Sequence, residues 1–141
     1  MLKELRVMNL QQNQLTGHIP TRFCYLAQLK ELCLGDNALT GAIPPPIGAL
    51  GMLEVLSLEQ NKLSGMLPAE IGLLRRLREL RLHENCIGGK LPTDEWKELH
   101  SLEEFELFPN RVECTQRTVD SFHALLQAGG AHAAAHTETG L

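Results

Sequence analysis

Asparagine returns at a fixed interval along this chain: Asn13, Asn37, Asn61, Asn85 and Asn110 are separated by 24, 24, 24 and 25 residues. An apolar frame returns with it. Leu26, Leu29, Leu32, Leu34, Asn37 and Leu39 are matched by Leu50, Leu53, Leu56, Leu58, Asn61 and Leu63. The next copy reads Leu74, Leu77, Leu80, Leu82, Asn85 and Ile87. Leu2, Leu5, Met8, Leu10, Asn13 and Leu15 open the series, and Leu99, Leu102, Phe105, Leu107, Asn110 and Val112 close it more loosely. A period of this length marks a solenoid, in which each unit buries its apolar edge only against its neighbours.

The end of each frame, Leu-x-Leu, has period 2. Its leucines therefore share one side of an extended segment while the residue between them faces the other. Stacked copies let these short strands pair as a parallel sheet, about 4.8 Å from one to the next. Three residues after the second strand leucine the chain must turn out of the sheet, and a buried turn leaves backbone N–H and C=O groups that no strand can pair. An inward asparagine carries both a donor and an acceptor, so stacked amides can satisfy those groups as a ladder. Exposed loop asparagines would not explain the constant register.

A second signature follows each asparagine: Leu15-Thr-Gly17-His-Ile19-Pro20, Leu39-Thr-Gly41-Ala-Ile43-Pro44, Leu63-Ser-Gly65-Met-Leu67-Pro68 and Ile87-Gly-Gly89-Lys-Leu91-Pro92. Glycine permits a close or left-handed backbone, and proline ends the extended run. The aliphatic residue before each proline points inward. Pro68 to Leu74, and in compressed form Pro45 to Leu50, then return the chain along the back as a short helical turn. The unit with Leu-x-Gly-x-Ile-Pro resembles the plant-type leucine-rich repeat over residues 2–112. That resemblance implies a curved right-handed solenoid with a parallel sheet on its concave face and a second short strand after each asparagine. It also implies recognition of proteins, peptides or small hormones, as in receptor-kinase ectodomains and inhibitors of secreted enzymes. In the fifth copy Cys114 stands where the glycine belongs and no Ile-Pro follows, so the solenoid ends there.

The expected fold is thus an α/β repeat solenoid of about five 24-residue repeats. A leucine-rich repeat domain covers 1–114, with units at about 2–25, 26–49, 50–73, 74–98 and 99–114. A C-terminal helix and cap is expected over 115–130, with Thr118 as N-cap, Val119, Phe122, Leu125 and Leu126 on one face, and Gly129-Gly130 as stop. A flexible tail is expected over 131–141. At the other end, Met8, Leu10, Leu15 and Ile19 have no covering element, so the expectation is either further repeats upstream of Met1 or a partner over this end, end-to-end self-association through the uncapped first repeat being one such partner.

Thirteen basic against seventeen acidic residues give a net charge of −4, and the absence of a basic stripe argues against nucleic-acid partners. Charge is nevertheless segregated. Arg75, Arg76, Arg78 and Arg81 lie in the fourth copy, whereas Asp94, Glu95, Glu98, Glu103, Glu104, Glu106 and Glu113 accumulate in the stretch 94–113. No apolar run is long enough to span a membrane. Signal peptide, glycosylation sequon and paired-cysteine pattern are not seen, and Cys24, Cys33, Cys86 and Cys114 occupy four different repeat positions. The chain as written therefore reads as cytoplasmic, or as extracellular if it is a truncated receptor fragment.

Strand residues that face away from the core form four columns. They are Val7, Glu31, Val55, Glu79, Glu104; Asn9, Cys33, Ser57, Arg81, Glu106; Gln11, Gly35, Glu59, His83, Phe108; and Gln12, Asp36, Gln60, Glu84, Pro109. A rigid sheet makes such a face a binding platform. The candidate ligand-binding residues are Ser57, Glu59, Glu79, Arg81, His83, Glu104, Glu106 and Phe108. Arg81 and Phe108 lead because interface hot spots favour arginine and aromatics. His83 with Glu59 or Glu84 is the only acid/base pairing in view, and Cys33 the only nearby thiol. Without a phosphate loop, nucleophile elbow or metal cluster, no catalytic residue, metal site or cofactor is expected. His132 and His136 have metal-compatible spacing but lack a third ligand. The function expected is a protein- or peptide-binding interaction module using the concave face; the alternative is a fragment of the ligand-binding ectodomain of a larger receptor.

Overall fold

The computed structural model describes residues 2–113 together with Thr115, Arg117, Asp120, Ser121 and Ala124. The first coil contributes β1 (Val7–Asn9) and β2 (Thr16–His18), the second β3 (Glu31–Cys33) and β4 (Ala38–Gly41). The third contributes β5 (Val55–Ser57) and β6 (Lys62–Leu63), and the fourth β7 (Glu79–Arg81) and β8 (Gly88–Lys90). The last contributes β9 (Glu104–Glu106) and β10 (Arg111–Glu113). The odd-numbered strands form one parallel five-stranded sheet in the order β1-β3-β5-β7-β9, the concave face of the solenoid. The strands after the asparagines form a second layer, β2-β4-β6 and β8-β10. Its glycines, Gly17, Gly41, Gly65 and Gly89, all have positive φ between 73° and 80°, which is why that position is restricted to glycine. The cysteine at position 114, the C-terminal cap face (Thr118, Val119, Phe122, Leu125, Leu126, Gly129, Gly130) and the tail with His132 and His136 lie outside the described residues.

The sheet register is the sequence register. Met8 pairs with Leu32, Leu32 with Leu56, Leu56 with Leu80 and Leu80 with Phe105, so identical apolar positions stack into one core. Leu29, Leu32, Leu53, Leu56, Leu58, Leu77, Leu80 and Leu82 are fully buried. Each contributes about 1.5–3 kcal/mol of transfer free energy. Ile19 departs from expectation: it is buried in this core, because the aliphatic residue before each proline points inward and the second coil covers it.

The asparagine ladder follows one pattern, and Asn61 shows it best. Its Nδ2 donates to the carbonyls of Leu34 in the preceding coil (3.0 Å), Leu58 (3.2 Å) and Glu59 (3.2 Å). Its Oδ1 accepts the backbone N–H of Leu39 at 3.0 Å. Asn37, Asn85 and Asn110 repeat this, each receiving the N–H two residues past the previous asparagine and giving to the carbonyl three residues before it. Asn13 is exposed and, among the described residues, bonds only within its own turn, to the carbonyls of Leu10 and Gln11.

The backs of the coils are 3₁₀ turns at Thr21–Tyr25, Pro45–Ala49, Ala69–Leu73 and Glu95–Glu98. They pack directly on one another. A Cβ on Gly72 would lie 2.2 Å from the backbone oxygen of Glu95, so this glycine sets the spacing of adjacent turns. The 25-residue final interval is absorbed here: one extra residue after Pro92 brings Trp96, rather than residue 95, into the buried position held by Ile71 one coil earlier. Its indole N–H donates to the Pro68 carbonyl at 3.3 Å, and its ring meets Phe105 edge-on at 6.0 Å.

Two outcomes are expected from denaturant unfolding. Asn61→Ala leaves the Leu39 N–H and a set of carbonyls without partners, and is expected to cost about 2–4 kcal/mol. Gly72→Ala is expected to cost about 1–3 kcal/mol by overpacking. By contrast Gly51→Ala, where an added Cβ meets nothing within 4 Å, should leave the midpoint nearly unchanged.

Candidate functional site

The concave face is built from side chains that the register places side by side, and it divides into two halves. In the half nearest the first coil, Gln11, Ser57 and Glu59 bind one another. Gln11 reaches across two coils, its Nε2 donating to Ser57 Oγ at 3.0 Å and to Glu59 Oε1 at 3.5 Å. Ser57 Oγ in turn donates to Glu59 Oε2 at 2.6 Å. The reach is open because Gly35 has no side chain; a Cβ there would stand 2.5 Å from Glu59 Oε1. Ser57, expected at the surface, is consequently completely buried. Cys33, paired with Ser57 on the neighbouring strand, is also buried, and burial pushes its thiol pKa up, with the charges of Glu31, Glu59 and Glu79 adding to the effect against Arg81. A thiol held protonated in an acidic setting is a poor nucleophile.

In the half formed by β7 and β9 the charges pair but remain in contact with water. The Arg81 guanidinium lies 2.9 Å from Glu79 Oε2 and 2.9 Å from Glu104 Oε2, with its side chain 32% exposed. Glu106 faces His83, whose Nδ1 is 2.8 Å from Glu106 Oε2 without the alignment of a hydrogen bond, and acts on Arg81 through its charge. Neither Glu59 nor Glu84 is the histidine's partner: Glu59 is held by Ser57 and Gln11, and Glu84 accepts from Gln60 at 3.4 Å. Phe108 is half-buried and packs against the core, so it is less free to anchor a ligand than an exposed ring would be.

Backbone geometry dominates the fourth column. Gln12, Asp36, Gln60 and Glu84 all have positive φ, between 52° and 56°, although none is glycine. The chain must swing there from the sheet into the asparagine turn, and the N–H groups of Asp36, Gln60 and Glu84 bond the carbonyls of Glu59, His83 and Pro109 in the next coil. Those hydrogen bonds offset the sparsely populated conformation.

A column just before the strands was not among the sequence candidates. Lys30 pairs with Glu54 at 3.2 Å, and Arg78 grips Glu103 through two hydrogen bonds of 3.0 and 2.9 Å. Those two bonds hold the Glu103 carboxyl below the usual carboxylate range. The signal was present in the alternating signs of Lys30, Glu54, Arg78 and Glu103. The charge segregation between the fourth and fifth copies thus resolves partly into pairing across the coils: Arg78 meets Glu103 and Arg81 meets Glu104. Exposed pairs of this kind contribute about 0–1 kcal/mol each. Among the described residues, no cluster of three His, Cys, Asp or Glu is arranged to hold a metal, and no helix is long and apolar enough to cross a membrane.

A family model for the leucine-rich repeat region matches residues 1–127. Among solved structures, the chain is similar to the Arabidopsis receptor kinase HAESA in complex with the peptide hormone IDA and the co-receptor SERK1. That likeness has 35% identity and a TM-score of 0.73, and covers 79% of this chain and 18% of that one. It is similar to the plant peptide hormone receptor RGFR1 in complex with RGF2, with 27% identity and a TM-score of 0.79 over 94% of this chain and 20% of that one. It is similar as well to the ectodomain of the receptor kinase SOBIR1 from Arabidopsis thaliana, with 34% identity, a TM-score of 0.69, and coverage of 83% and 62%. The chain therefore spans less than two thirds of each of these proteins. A search of curated proteins found no significant match. The asparagine ladder, the parallel concave sheet and these likenesses agree, and the chain belongs to the plant-type leucine-rich repeat family.

Proposed function

We propose that this chain is part of the ligand-binding ectodomain of a larger receptor-type leucine-rich repeat protein, and that it holds a peptide or protein on the concave sheet toward β7 and β9. The observation that carries this reading is the asymmetry of that face. Gln11, Ser57 and Glu59 are joined by hydrogen bonds in the first half, whereas in the second Arg81 is held between Glu79 and Glu104 by ion pairs and His83 meets Glu106 without an aligned hydrogen bond. Arginine between two carboxylates can exchange one of them for a ligand group at small cost, because exposed pairs are weak. The peptide ligands of HAESA and RGFR1 support the ligand class.

An extracellular setting fits this reading better than the cytoplasmic one, since the similar structures include receptor ectodomains. Of the free thiols among the described residues, Cys24 and Cys33 are buried and sheltered from exchange, whereas Cys86 is exposed. The geometry also disfavours a thiol catalyst, with Cys33 buried and its pKa raised. Repeat units at about 2–25, 26–49, 50–73, 74–98 and 99–114 remain the proposed organisation of the domain.

The probe is a set of peptides selected on the full chain from a random-sequence display library. Arg81→Ala combined with His83→Gln is expected to weaken the selected peptides at least about tenfold. The thermal midpoint should stay within a few degrees of the parent's, because neither side chain belongs to the apolar core. Peptides that bind the double variant as tightly as the parent would remove this half of the sheet as the binding site.

A further inference from the structure

Given ligand binding toward β7 and β9, on which this rests, we propose that the ligand is a cationic peptide. Its lysine or arginine side chains pair with the carboxylates around Arg81, while Arg81 itself takes a backbone carbonyl.

The negative charge of this chain is concentrated on one face. The four outward columns carry seven carboxylates against one guanidinium, that of Arg81. The whole chain has seventeen acidic and thirteen basic residues, so everything outside those columns has ten acidic against twelve basic. The net charge of −4 is therefore a property of the concave columns and not of the surface at large. A concave surface lined by one sign of charge focuses its field and draws in the opposite sign.

Pairing within the face leaves carboxylates over. Glu31 stands between Val7 and Val55 in the sheet register, and neither side chain offers a donor. Its exposed carboxylate has no partner among the described residues, and the exposed carboxylate of Asp36 is likewise without one. On β7 and β9 a single guanidinium lies 2.9 Å from both Glu79 and Glu104. Glu106 lies 2.8 Å from His83 Nδ1, a buried atom that makes no hydrogen bond.

Docking turns this excess into a requirement. When Arg81 exchanges Glu104 for a ligand carbonyl, the Glu104 carboxylate is left beneath the ligand with neither water nor guanidinium. A carboxylate removed from water without a partner is costly, so the ligand must bring a cation to it. An acidic ligand meets Glu79, Glu104 and Glu106 as like charges and is rejected. An uncharged one leaves them unpaired. A peptide with basic side chains supplies both the carbonyl and the cation.

A random-sequence peptide display library selected on the full chain tests this. Retained peptides are expected to be enriched in lysine and arginine over the input library. They should bind at least about tenfold more weakly when salt is raised from about 0.05 M to about 0.5 M. The triple variant Glu79→Gln, Glu104→Gln, Glu106→Gln is expected to weaken them at least about tenfold. The triple variant Asp94→Asn, Glu95→Gln, Glu98→Gln removes as much charge from the back of the coils. It should change affinity less than about twofold, because screening confines exposed charges to short range. Peptides weakened by Arg81→Ala with His83→Gln but not enriched in basic residues overturn the cationic ligand and leave the concave site standing. Tighter binding to the concave triple variant does the same. Equal weakening by both triple variants also overturns it, since the attraction is then to net charge alone. Peptides indifferent to every concave substitution, or a library from which none is retained, overturn the concave site and the cationic ligand together.

Discussion

Each coil of this solenoid leaves its sheet through a turn whose backbone cannot bond to itself, and the asparagine amide supplies what is missing. Asn37, Asn61, Asn85 and Asn110 each join one N–H and one carbonyl of the preceding coil to the carbonyl three residues before themselves. Buried backbone groups left unpaired would cost about 1–3 kcal/mol each, and the turn contains several. The amide row therefore does two things at once. It permits a sharp turn to be buried, and it locks the register of adjacent coils so that leucine stacks on leucine.

Once the register is locked, the concave face is determined geometrically but not chemically. Its columns must stack, yet what they do depends on size and charge from coil to coil. Gly35 opens a gap through which Glu59 and Gln11 meet, so the two close over Ser57. Two coils further on, Arg81 and His83 meet carboxylates from the next strand and remain at the surface. Self-satisfaction at one end and solvated charge at the other is the property that directs attention to β7 and β9.

Much of this was legible in the residues. The interval of the asparagines, the Leu-x-Leu strands and the Gly-x-Ile-Pro signature imply the coil, the parallel sheet and the second layer without coordinates. The register of the columns was legible too, because the strands pair residue for residue at the repeat interval. Other features were not. Ser57 counted as exposed until Gln11, 46 residues away, was seen to cover it. Glu106 could equally have served Arg81 or His83, a choice made by side-chain reach rather than by register. Phe108 shares a column with His83 yet turns toward the core.

The sequence by itself determined the period, the inward and outward faces and the amide row, because these depend on backbone geometry that repeats every coil. Tertiary structure alone decided which charges pair, which columns close over and how the extra residue before Trp96 is accommodated. Those outcomes depend on distances between side chains two dozen or more residues apart, and a repeat pattern places such residues in the same column without saying how far each one leans. Trp96 makes the point: the 25-residue interval does not say where its extra residue lies, and packing puts the indole in the slot that Ile71 fills one coil earlier.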